Sequence, residues 1–400
     1  MMNRQIENKI VKIIKITFDL RAALPLIIGS GESEYSDVEI LKDNKDNPYI
    51  PGTAIAGVMR HYTKNDDVFR DDKLSPIYTY DCEIKNYKIS VRDGVELDDD
   101  KVSKNTAKYD YEIIEDGAEF NVRLDLIIRE KNQNGDPKYP KEKEICQCVK
   151  KFIWGIYNGE IYIGAKSKRG FGRVELIEGT LKINDEEYNK YKEFKYDLTY
   201  DVLKVKLHLR GGIMIRKYND NPEGADFIHL KSGGKSIIPG TTWSGAIRHR
   251  TEDIFKSLGK YNEAIERVFG SKMSSSEDQG HASLVIFEES TINGGGALPQ
   301  TRVKIDRFTG GAVDSALYTE EPHYIGDTTL VIKYPKDKNY IVGLLLPALE
   351  DLCRGYLAIG GETSIGRGIF ENGEIELNGK PLLNKDFYYG EVLKEADKSC

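Results

Sequence analysis

Leu203, Val205, Leu207 and Leu209 alternate with Lys204, Lys206, His208 and Arg210. Successive side chains of an extended chain point to opposite faces, so an apolar residue at every second position predicts a half-buried β-strand. Residues 13–21, IIKITFDLR, parallel that segment near the N-terminus. A different period governs two later segments. Ile145, Val149, Phe152 and Ile156 are spaced i, i+4, i+7, i+11, and so are Leu345, Leu349, Leu352 and Tyr356. Each set falls on one face of a predicted helix.

These elements belong to an internal repeat. Residues 50–61 read IPGTAIAGVMRH and residues 238–249 read IPGTTWSGAIRH. Pro51, Gly52, Thr53, Gly57, Arg60 and His61 recur as Pro239, Gly240, Thr241, Gly245, Arg248 and His249, all offset by 188. IGAKSKRGFGR (163–173) parallels IGGETSIGRGI (359–369), now offset by 196, with three glycines matched. Residues 91–120 pair with 301–330. Each copy therefore runs strand, acidic loop, PGT and helix, extended segments, second helix, Gly-rich turn, strand. That order predicts an α+β chain of two tandem elaborated ferredoxin-like (βαββαβ, RRM-like) domains, 1–195 and 196–400. The charged stretch 184–197 suits the boundary. Thr53 and Thr241 are placed to cap the PGT helix or to lie in its first turn.

Composition narrows the function classes. The chain has 400 residues, with 58 Lys+Arg against 65 Asp+Glu, a net charge of −7. An acidic protein is not held on nucleic acid by net charge alone, although a local basic groove remains open. The apolar stretch 10–20 carries Lys12, Lys15 and Asp19 and is shorter than the roughly 20 residues of a membrane span. No membrane partner is expected. Five scattered cysteines argue against a disulfide framework, and the pair Cys146 and Cys148, two apart, is expected on different helix faces.

The strand, the acidic loop, IPGTAIAGVMRH or IPGTTWSGAIRH, the VKIDRFTG segment (303–310) and the Gly-rich turn resemble the RAMP superfamily of CRISPR-associated proteins. In particular they resemble the backbone subunit of type III effector complexes. The resemblance implies a cytoplasmic ribonucleoprotein whose partners are a crRNA guide, target RNA and other type III subunits. In such a subunit a β-hairpin thumb displaces guide–target base pairs at intervals. An aspartate after the first strand then cleaves the displaced RNA with Mg²⁺ or Mn²⁺, using the 2′-hydroxyl as nucleophile.

Carried onto this chain, the aspartate matches Asp37, followed by VEIL, and Asp226, followed by FIHL. These two are the expected catalytic and metal-binding residues, with one or both active. Lys42 and Lys231 follow five residues later in each case. Thumbs are expected at about 91–112 and 301–322. RNA contacts are expected from Gly52, Thr53, Arg60, Gly240, Thr241 and Arg248, because a helix N-terminus and its basic first turns favour phosphate. Lys166, Lys168, Arg169 and Arg173 in the first Gly-rich turn, Arg302 and Arg307 in the second thumb, and Arg367 in the second turn complete the set. Gly57 and Gly245 sit inside helices, where close approach of RNA or of a neighbouring strand would account for a glycine. Three alternatives stay open: a non-catalytic crRNA-binding scaffold, a guide-processing endoribonuclease, and a tandem regulatory module.

Overall fold

The computed structural model describes residues 9–31, 38–69, 75–97, 103–130, 140–185, 188, 196–219, 221, 223–256, 262–271 and 280–398. The chain forms two compact units, Met1–Ser167 with Phe171–Leu198, and Lys168–Gly170 with Thr199–Cys400.

In the first unit the long strand Ile10–Ala22 lies between Val174–Leu176 and Glu119–Arg129, with Cys82–Lys85 on the far side of Glu119–Arg129. All these pairings are antiparallel. The helices Gly52–Thr63 and Glu142–Tyr157 supply Ile55, Met59, Val149 and Phe152 to a core shared with Ile14, Ile16, Phe18 and Leu20. In the second unit the order is Ile286–Phe287, His323–Pro335, Tyr200–Ile213, Ile369–Leu377, again antiparallel. The alternation at 203–210 places Leu203, Val205, Leu207 and Leu209 in the core, where they meet Leu345, Leu349 and Leu352 from the helix Asn339–Cys353. Trp243, from the helix Gly240–Lys256, is fully buried against Phe370, and its indole N–H donates to Ser290 Oγ. Burying side chains of this size contributes roughly 1.5–3 kcal/mol each, so the two cores dominate the stability of the units.

Each unit carries one long hairpin outside its central sheet. The first joins Ile89–Leu97 to Ser103–Ile114 and the second joins Gln300–Ile305 to Ala312–Glu321. Both fall where the thumbs are expected.

One local expectation is corrected, and two are made specific. Tyr356 is not part of a buried helical face: the helix ends at Cys353 and Tyr356 is exposed beyond it. Cys146 and Cys148 are both buried, because their helix is covered on two sides. Tyr188 reaches the Cys146 carbonyl on one side and Cys148 Sγ meets Thr63 Oγ1 on the other. Burial pushes both thiols up, to about 12 and about 11. Thr53 lies in the first turn rather than capping the helix, which has no side-chain cap on Pro51.

Candidate nucleic-acid interface

Asp226 lies at the root of the second hairpin. It immediately precedes the short strand Phe227–His229, which pairs in parallel with Ala312–Glu321, Phe227 opposite Glu320. The Asp226 side chain is exposed, and Oδ2 accepts the Thr319 N–H at 2.7 Å. Its other oxygen accepts no hydrogen bond among the described residues. Asp37 lies outside the described residues. Val38, the next residue in sequence, bridges Tyr111 in parallel, as Phe227 pairs with Glu320. The equivalence of the two loops inferred from sequence thus extends to how each joins its hairpin.

The second hairpin is polar at its root and apolar toward its end. Val303 and Leu317 face each other across the strands and both are exposed, as are Ile305, Arg307 and Lys304. At the turn, Asp306 Oδ1 accepts the backbone N–H groups of Phe308 and Thr309. These bonds hold the Asp306 carboxyl below its ordinary range. They also present Phe308, which is 92% exposed.

The Gly-rich turns anchor the hairpins by different chemistry. In the second unit Arg367 is buried, its Nη2 lying 2.5 Å from Glu320 Oε1 and 2.9 Å from Gln300 Oε1, and its Nη1 pairs with Glu362. Arg302 pairs with the same Glu320, and Arg216 Nη2 reaches Glu362 Oε1 at 2.7 Å. Burial would push the Glu320 carboxyl up, but the hydrogen bond from Arg367 and the neighbouring charges hold it below its ordinary range. In the first unit Phe171 takes the position of Arg367 and packs edge-on to Tyr111. Lys166, equivalent to Glu362, lies 3.6 Å from the centroid of Tyr111 and 4.8 Å from that of Tyr109. Both Lys166 and Glu362 have positive φ, 55° and 59°, so the turn geometry is kept while the charge is reversed.

The expected RNA contacts divide accordingly. Arg367 is sealed inside the network and offers no donor to a ligand. Arg302 is one-third exposed. Arg307 is exposed at the hairpin turn, and Thr53, Thr241 and Arg60 are exposed on their helices. Arg248 donates to Glu252 and to the Gly270 carbonyl, which ties it to its own surface. In the first turn Arg173 pairs with Glu175, and Arg169 is exposed. Lys168, which falls with the second unit, faces the Tyr200 ring, and burial pulls its pKa below the ordinary lysine range.

The PGT glycines have a packing role. The Gly52 N–H donates to Asp81 Oδ1 at 2.8 Å, a cap from a distant loop that no local pattern announces. A Cβ at Gly52 would lie 2.5 Å from the Thr79 carbonyl oxygen, and one at Gly240 would overlap the Phe287 carbonyl oxygen. Gly57 and Gly245 differ: nothing lies within 4 Å of a Cβ at either position. Among the described residues no neighbouring strand explains them.

The RAMP superfamily model matches residues 19–175 and 207–371, one region in each unit. The chain belongs to the RAMP superfamily and carries its domain twice. No curated protein matches it. Among solved structures, a chain of the cryo-EM structure of the Type III-B Cmr-beta bound to cognate target RNA is similar over 43% of this chain and 61% of that one, at 15% identity and a TM-score of 0.33. This chain thus spans less than two thirds of that neighbour's length. No helix among the described residues is long and apolar enough to cross a membrane.

Proposed function

We propose that this protein is a backbone subunit of a type III CRISPR ribonucleoprotein, holding crRNA along both units and cleaving complementary target RNA with Asp226, and with Asp37 in the first copy. Each unit is read as ferredoxin-like, which its antiparallel strand order supports. The observation that carries the functional reading is the bond from Thr319 N–H to Asp226 Oδ2. It fixes an exposed carboxylate at the root of a hairpin whose far end presents Phe308.

A hairpin that opens a guide–target duplex leaves a splayed nucleotide at its root, and a carboxylate held there meets the backbone in a defined orientation. Much of the rate of RNA scission comes from such positioning. Among the described residues no three His, Cys, Asp or Glu converge as a metal cluster. Asp226 would hold a divalent cation such as Mg²⁺ or Mn²⁺ through a carboxylate oxygen, leaving water and phosphate oxygens as its other ligands. Bound there, it would neutralise charge developing on the phosphate. The open faces at Gly57 and Gly245 favour close passage of the guide backbone.

The test is target-RNA cleavage by the guide complex with Mg²⁺, comparing wild type, Asp37→Asn, Asp226→Asn and the double variant. Each single change is expected to remove one cut and the double both. If all four cut alike, the chain is a scaffold and the chemistry lies in another subunit.

A further inference from the structure

Arg216 was not among the residues expected from the sequence. It lies on the short strand Arg216–Tyr218, which pairs antiparallel with Phe227–His229, Tyr218 opposite Phe227. From there its guanidinium covers the Phe227 ring, 4.3 Å from the centroid. Phe227 directly follows Asp226 in the chain. The Arg216 side chain is 46% exposed, and among the described residues it donates one hydrogen bond, to Glu362. A guanidinium carries five N–H donors in one plane. Stacking on Phe227 fixes that plane without using a donor, and Glu362 fixes its rotation.

We propose that Arg216 seats a phosphodiester of bound RNA at the root of the second hairpin. A carboxylate alone repels a phosphate. Here three guanidiniums (Arg216, Arg302, Arg367) share two carboxylates (Glu320, Glu362), which leaves an excess of one positive charge for a phosphate. Planar, fixed guanidinium donors suit phosphate oxygens better than a flexible ammonium does. The seat belongs to the second copy. The short strand that follows the long first strand in the first copy is Gly29–Gly31, GSG, and carries no cation.

This assignment rests on the RNA-binding reading above, and one titration separates the two. The full chain is mixed with a labelled single-stranded RNA oligonucleotide, and its affinity is followed against salt for wild type, Arg216→Ala and Arg216→Lys. Wild type should bind with an affinity that falls steeply as salt rises. Arg216→Ala should bind several-fold more weakly at low salt, with a log–log slope shallower by about 0.7, the value of one lost phosphate contact on a single strand. Arg216→Lys should recover the slope but only part of the affinity. If Arg216→Ala keeps the wild-type affinity and slope, the seat is wrong and the RNA reading stands. If wild type shows no salt-dependent RNA binding, both fall. A loss of binding that comes with a lowered melting temperature and is not rescued by lysine marks Arg216 as structural and also overturns the seat.

Discussion

Arg367 and Glu320 meet at 2.5 Å with neither side chain reaching solvent, joining the Gly-rich turn of the second unit to the return strand of its hairpin. Removing one member of a buried pair costs about 3–5 kcal/mol when the other charge is left alone, but here Arg302 still pairs with Glu320 once Arg367 is gone. Arg367→Met should therefore lower the stability of the second unit by less than that figure. Adding Glu320→Met leaves Arg302 without its carboxylate and should lower stability further. Urea denaturation of the two variants checks this, and a double variant more stable than the single would show that Arg302 does not hold Glu320 in the absence of Arg367.

The mixed chemistry of the two turns gives no such sensitivity to the first unit. Phe171 and Tyr111 are an apolar contact, with Lys166 over the ring as a partner worth about 1 kcal/mol. Lys166→Met should change stability by no more than that, and the measured difference between the two turns is the quantity of interest.

His229 predicts a dependence on pH. Its ring is 1% exposed, Nδ1 accepts the Ile215 N–H, and Nε2 donates to the Ile237 carbonyl. Burial, then the nearby His323, pull its pKa from 6.5 to about 4. The folded chain therefore leaves His229 neutral at a pH where the unfolded chain takes up a proton. This contribution to stability is full above about pH 6.5, falls as the pH drops toward 4, and levels off below. Its full size is roughly 3 kcal/mol. His229→Asn, which retains a donor and an acceptor, should show a smaller fall in urea midpoint between pH 7 and pH 5 than wild type.

The repeated glycines separate packing from ligand approach. Gly52→Ala and Gly240→Ala force a Cβ against backbone and should destabilise their units. Gly57→Ala and Gly245→Ala meet open space within helices and should each stabilise by about 0.5–1 kcal/mol. If the guide passes over these faces, the same two changes lower RNA affinity while raising the melting temperature. Retained affinity would remove that part of the guide path.

Phe308 offers a test of the hairpin end. At 92% exposure it contributes little to folding, so Phe308→Ala should shift stability by less than about 0.5 kcal/mol. In the assembled complex it should slow target cleavage while leaving guide binding intact, and an unchanged cleavage rate would deny the hairpin end a role.

Much of the fold was legible because period and repetition are local or internal to the sequence. The alternation at 203–210 and the helical spacing at 145–156 are imposed by burial, and burial leaves its mark residue by residue. Asp226 was singled out by the family resemblance together with its place in a repeated loop, and Asp37 lies outside the described residues.

What the sequence could not contain is which side chains are neutralised from afar. Arg367 reads as a phosphate ligand in a Gly-rich turn, yet Glu320 and Glu362 enclose it. Gly52 reads as a free helix N-terminus, yet Asp81 fills it. Arg216 drew no notice as a single arginine, and only the pairing of its strand with Phe227–His229 sets it over the ring beside Asp226. By itself the sequence determined the duplicated α+β plan, the superfamily and the two hairpins, because these follow from periodicity, from matches along the chain and from the family resemblance its motifs carry. The tertiary structure decided which cations face solvent and which are held by carboxylates, because electrostatic pairing depends on distances of a few ångströms between residues tens of positions or more apart.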